Sequence, residues 1–180
     1  MTIEELRYLI ESEDRVEFKE AKGGNYSFNG SNHVDPKKRR RCILGYVTAI
    51  ANEGGGYLIF GVKDKYPHEI VGTQQSNRSE GQLESNIYNH TGIRVSTESL
   101  YDEEKRRILV IKIPSRPIGK VYKFEDVPLM RIGEELKPMS DEMYLKILQE
   151  QEPDFSQQIC KGATIDDLDP NAIQALKEKY

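Results

Sequence analysis

The chain has 180 residues, 26 Lys and Arg against 30 Asp and Glu, a formal net charge of -4, and 37% hydrophobic against 31% charged residues. That length can bury a real core, while the acidic balance removes bulk charge as a reason to expect nucleic-acid binding, so such a role must rest on a local patch. No run approaches bilayer length, and the start "MTIEELRYLIESED" lacks the basic head and apolar stretch of a secretory signal, so a cytoplasmic chain with no membrane partner is expected.

Thr2 caps a short amphipathic helix whose apolar positions are Ile3, Leu6, Leu9 and Ile10. "RVEFKEA" alternates, with Val16 and Phe18 on one side of a half-buried strand. Lys22 to Asn32 is rich in Gly, Asn and Ser and reads as a loop. Asp35 and Pro36 form a helix start, because proline at the first helical position gives up only an amide that has no intrahelical partner. Ile43, Tyr46, Val47 and Ile50 extend the same helix inward as far as Asn52 to Gly54. "YLIFGV", Tyr57 to Val62, is apolar enough for a central strand covered on both faces, and "IVGT" is expected to return beside it as a hairpin. Ser79 to Asn89 reads as a helix with Leu83 and Ile87 inward. Strands follow at Ile93 to Thr97, Arg107 to Ile113 and Lys120 to Arg131, the last with a break near Asp126 to Pro128. Ser140 and Asp141 then cap a helix through Leu148. The order predicts an α+β fold, a mixed sheet with hairpins packed by a few helices.

From Gln151 the sequence turns polar, then reaches a second Asp-Pro helix start at Asp169 and Pro170. Residues 1–150 are expected to form the domain. Residues 151–180 read as a linker and helix, either a docking element or the start of a region belonging to a longer chain. A protein-interaction module that assembles a larger regulator, including a homo-oligomer, is one functional reading of that helix.

Five consecutive cations, Lys37, Lys38, Arg39, Arg40 and Arg41, concentrate the positive charge that the chain as a whole lacks. Their long side chains reach far enough for several to touch one phosphate backbone, the alternative being a solvated helix face. Lys105, Arg106, Arg107, Arg116, Lys120, Lys123 and Arg131 add cations near the later strands. Glu11, Glu13, Glu17 and Asp64 form an acidic set that could hold Mg or Mn against a phosphodiester if the strands bring them together; surface salt bridges are the plainer outcome. Gly54, Gly55 and Gly56 follow a helix and precede a strand, the reverse of a phosphate loop, and Gly119 and Lys120 are followed by Val121. ATP binding by that mechanism is not expected. Cys42 and Cys160 lie far apart with no zinc spacing, and His33, His68 and His90 stand in no nucleophilic motif.

Four ordered segments carry a further signal: "VEFKEAK", "AIANEGGGYLIFGVKD" with "EIVGT" behind it, "ILVIKIPSRPIGKVYK" and "LMRIGEELKPMS". In that order they resemble the Schlafen AlbA-like DNA-binding domain over roughly Ile3 to Leu148. The resemblance implies an α+β domain associated with DNA or structured RNA, found in bacterial transcriptional regulators, helicase-related proteins and divergent ATP-binding proteins. In the Schlafen nucleases of animals the same fold carries three acids that cleave structured RNA with a metal. Two of those acids fall on Glu17 and Asp64. The third falls on Ser12, flanked by Glu11 and Glu13, and Glu13 is the candidate to complete a catalytic and metal-binding set. That departure favours binding without cleavage, with a metal-dependent endoribonuclease as the alternative.

Overall fold

The computed structural model describes residues 1–9, 15–77, 80–133, 135–150, 162, 164, 167 and 169–179. The chain divides into two compact units, Met1–Glu150 and Gln151–Tyr180.

In the first unit, α1 (Ile3–Arg7) begins with a reciprocal capping box: Glu5 N donates to the Thr2 hydroxyl, and Thr2 N donates to the Glu5 carboxylate. β1 (Val16–Lys19) runs parallel to β2 (Gly56–Phe60), with Glu17 opposite Leu58. β4 (Arg107–Ile113) pairs antiparallel with β2 on one side and β3 (Ser96–Tyr101) on the other. The order β1-β2-β4-β3 leaves β2 and β4 internal. Their alternating apolar residues feed two cores. Leu58, Phe60, Leu109 and Ile111 pack with α3 (Ile43–Asn52) and with Leu83 and Ile87 of α4 (Glu80–Thr91). Ile59, Ile108 and Val110 pack on the opposite face with Val16, Phe18 and Leu6 of α1. The apolar run at Tyr57 to Val62 is therefore covered on both sides, as its composition predicts.

A second, three-stranded antiparallel sheet comprises β5 (Lys123–Phe124), β6 (Val127–Ile132) and β7 (Glu135–Pro138). The expected break in the Lys120 to Arg131 strand is a two-residue hairpin turn, Glu125 at φ 50° and Asp126 at φ 60°. Positive φ at both central positions is the geometry that matches strand twist. Asn52, at the end of α3, pins this sheet: its amide donates to the carbonyls of Tyr122 and Leu129, and its oxygen accepts from Tyr122 N. α5 (Asp141–Leu148) starts with Ser140 accepting from Met143 N. In the second unit α6 (Pro170–Lys179) starts as expected, with Asp169 Oδ1 accepting from Asn171 N at 2.9 Å.

Three local expectations are corrected. The helix expected from Pro36 to Asn52 is two helices, α2 (Pro36–Arg40) and α3. Arg41 at φ -75° and ψ 65° makes an inverse γ-turn, in which Cys42 N donates to the Arg40 carbonyl at 2.9 Å. The first amides of α3 then turn elsewhere: Ile43 N donates to Ser27 O at 3.0 Å and Leu44 N to Phe28 O at 3.1 Å. "IVGT" is not a strand, because Gly61 at φ 95° and Gly72 at φ 74° bend both segments out of an extended ladder and leave a single bridge between Val62 and Ile70. The strand expected at Ile93 to Thr97 lies at Ser96–Tyr101 instead, while Ile93 and Val95 descend into the core.

Candidate nucleic-acid interface

α2 is short, has no buried residue and begins with Lys37 N donating to Asp35 Oδ1 at 2.9 Å. Its four cations and the C-cap Arg41 divide into two groups. Arg39 forms a two-pronged ion pair with Glu125 in the β5–β6 turn, and its Nη1 also donates to the Val34 carbonyl at 3.3 Å. Arg40 Nε lies 3.5 Å from the same Glu125 carboxylate. Lys37, Lys38 and Arg41 are exposed and have no ion-pair partner among the described residues. Their field extends toward β7. The Glu135 carboxyl is held below its ordinary range mainly by a hydrogen bond from Lys137, with Arg41 and Lys37 adding to the effect.

α2 is also tightly seated. A Cβ added at Gly45 would stand 1.9 Å from the Arg40 carbonyl oxygen, and one at Gly30, whose φ is 72°, would stand 1.8 Å from that of Arg39. Only glycine permits that approach on either side. Because the carbonyls of Ser27 and Phe28 take the first amides of α3, a phosphate here would be held by side chains rather than by a helix N-terminus.

Most of the later cations are occupied. Arg107 is buried and donates to Glu80, to Ser99 Oγ and to the Gln75 carbonyl. Arg106 pairs with Asp102, and Arg116 makes two bonds of 2.6 Å to Glu150. Lys120 and Lys123 lie over the rings of Tyr122 and Tyr144, at 4.7 and 5.4 Å from the centroids.

The acids are placed as follows. Glu17 lies on β1, points away from Val16 and Phe18, and is only 3% exposed. Its Oε1 accepts from Lys19 Nζ, and its Oε2 accepts from Arg131 Nη1 at 3.2 Å. Arg131, on β6, also donates to Glu53 through Nε and Nη2 at 3.0 and 2.8 Å and to the Val16 carbonyl at 2.7 Å. Lys19 stands 4.5 Å from the centroid of the Tyr46 ring. Burial works against its ammonium, but Glu17 and Tyr46 outweigh that cost and raise its pKa above the ordinary lysine value. Burial, reinforced by the charges of Tyr46 and Glu17, likewise pushes the neighbouring Tyr26 hydroxyl well above its usual range.

Asp64 is exposed on the bend after β2. Among the described residues no group of three His, Cys, Asp or Glu side chains could hold a metal ion. Glu11 and Glu13 lie outside the described residues. Glu17 therefore sits between two cations, with both carboxylate oxygens engaged. Glu125, which decides how the cations of α2 divide, carries no local signal in the sequence, since it meets Arg39 across 86 positions of chain.

The profile of the family described as Schlafen, AlbA_2 matches residues 12–140. Among solved structures the chain is similar to the DIP2311 protein from Corynebacterium diphtheriae, with 20% identity and a TM-score of 0.56, a likeness that bears on the fold alone. That match covers 94% of this chain and 34% of the other, so the chain spans about a third of that protein's length. It is also similar to the N-terminal domain of a RecG-related protein from Nitrosomonas europaea, with 22% identity, a TM-score of 0.45, and coverage of 77% of this chain and 87% of that one. No curated protein matches it. Among the described residues no helix is long and apolar enough to cross a membrane.

Proposed function

Because the chain belongs to the Schlafen, AlbA_2 family, we propose that it is a nucleic-acid-binding domain that holds a phosphate backbone on the exposed side of α2, serving as the DNA-binding part of a bacterial transcriptional regulator or helicase-related protein. The observation that carries this reading is the division of the α2 cations: Lys37, Lys38 and Arg41 stay exposed and unpaired among the described residues, while Arg39 and Arg40 clasp Glu125. In a chain of net charge -4 that arrangement concentrates positive potential at one place. Arg39 and Arg40 position the turn; the other three cations meet phosphate.

The test is binding of the protein to duplex DNA, single-stranded DNA and structured RNA at two salt concentrations. Affinity should fall steeply with salt, and K37A/K38A/R41A should lower the salt slope by up to about 3, because each lost phosphate contact removes roughly 0.9 from it. The loss should be alike for all sequences, since backbone contacts carry no base information. Absence of binding to all three at low salt refutes the proposal. The same assay with Mg or Mn tests cleavage. Product formed by the wild type and abolished in a Glu17→Ala, Asp64→Ala double variant would replace binding with hydrolysis as the reading.

A further inference from the structure

One cleft in the first unit is built without any residue of α2. It has a volume of 480 Å³, inside the ~300–1,000 Å³ typical of pockets that hold small ligands. Its lining includes Gly72 and Thr73 together with Lys22, Gln74, Tyr101 and Lys105. Three of the chain segments that line it are fastened together. Thr73 N donates to Arg107 O at 2.8 Å, the Thr73 hydroxyl donates to Ala21 O at 2.6 Å, and Gln74 N donates to Lys22 O at 3.2 Å. The cleft is thus framed by three hydrogen-bonded chain segments.

The two arginines of the cleft are neutralised from within: Arg107 by Glu80, Arg106 by Asp102 and Glu104. Lys22 and Lys105 differ, being exposed and without an ion-pair partner among the described residues. Lys105 is held at φ 61° in a turn where Asp102 Oδ1 accepts from Glu104 N and Arg106 N, which fixes where its side chain leaves the backbone. Tyr101, at the end of β3, is 59% exposed although it lines the cleft. Gln74 and Asn77 also line it and bond to one another, Asn77 Nδ2 to Gln74 Oε1 at 2.9 Å, which leaves an amide donor on one and a carbonyl on the other for a ligand.

Unpaired lysines suit a phosphate, an exposed tyrosine face suits a nucleobase, and side-chain amides suit a base edge. A duplex keeps its bases stacked on one another, so only a single strand can offer a base to Tyr101. We propose that this cleft seats one nucleotide of a single strand, with its phosphate against Lys22 and Lys105 and its base on the Tyr101 ring. The inference rests on the nucleic-acid reading above and adds to it a site for unpaired nucleotides.

The test uses the 180-residue protein and a fluorescently labelled thymidine trinucleotide, with duplex DNA assayed in parallel. K22A/K105A and Y101A should each weaken trinucleotide binding about tenfold, Y101F should keep it, and far-UV circular dichroism should show the fold unchanged. K37A/K38A/R41A should weaken duplex binding and leave the trinucleotide unaffected. A trinucleotide that fails to bind, or binds K22A/K105A and Y101A as tightly as the wild type, overturns the inference. So does displacement by inorganic phosphate as effective as by thymidine monophosphate, which would mark a bare anion site. A wild type that binds the trinucleotide but neither duplex DNA nor structured RNA, with K37A/K38A/R41A binding the trinucleotide equally well, would overturn the α2 reading and leave this one standing.

Discussion

Arg131 Nη1 reaches Glu17 Oε2 at 3.2 Å across the boundary between the two sheets, and the two residues are 8% and 3% exposed. With Glu53 and the Val16 carbonyl, this contact ties β6 to β1. Removing Arg131 leaves Glu17 with Lys19 as its remaining cation, so the cost should stay at or below the about 3–5 kcal/mol of a fully stranded buried charge. R131M should therefore destabilise the protein in urea denaturation, and the cost of R131M/E17Q should be smaller than the sum of the R131M and E17Q costs, because the contact between them is lost only once. Strictly additive costs would show that the two residues are not coupled.

Glu125 draws two arginines away from any phosphate. E125Q should release Arg39 and Arg40, tighten nucleic-acid binding and steepen its salt dependence by as much as about 2 in slope. Stability should change little, since the pair is near the surface. Weaker binding in this variant would mean that the clasp is needed to present Lys37 and Lys38.

Asp102 supplies the acid-sensitive contact. Burial opposes its charge, but hydrogen bonds from the Arg106 side chain and backbone outweigh burial and hold the carboxyl below its ordinary value. A carboxyl depressed in the folded state contributes stability that is present above its unfolded pKa, about 3.9, and lost as pH falls through the folded value. The urea midpoint should therefore drop further in the wild type than in D102N between about pH 7 and about pH 2.5. Glu80 and Glu150 are held low as well, so the dependence should shrink without vanishing. Equal drops would remove Asp102 from the acid response.

Gly45 is the residue that lets α3 pass the end of α2. G45A places a methyl 1.9 Å from the Arg40 carbonyl oxygen, inside any permissible contact. Overpacking of this kind costs about 1–3 kcal/mol. The melting temperature should fall, and duplex affinity should fall with it if Arg41 is displaced. An unchanged melting temperature would show that α2 moves aside freely.

The elements that obey a simple period were legible in the sequence: β2 and β4 from their apolar runs, α4 from Leu83 and Ile87, α5 from its serine cap. The break at Arg41 was not, since Ile43 to Ile50 continues in helical phase and no Gly or Pro marks the boundary. Its cause is remote, the carbonyls of Ser27 and Phe28 that claim the first amides of α3. Glu17 was legible in part. Strand alternation sets it opposite Val16 and Phe18, but its burial depends on Arg131, 114 residues away. The division of the basic run could not be read at all, because Glu125 meets Arg39 only once the second sheet has formed.

The inverse γ-turn at Arg41 separates two tasks that a continuous helix would have fused. α3 lies wholly within the core, whereas α2 contributes no buried residue to it. The identities at positions 37, 38 and 41 are thus insulated from folding: charge there can be raised, lowered or reversed while the interior keeps the same contacts. A domain with that separation can have the charge of one surface patch retuned by a few substitutions without repacking its core, which makes α2 the natural place for a designer to begin.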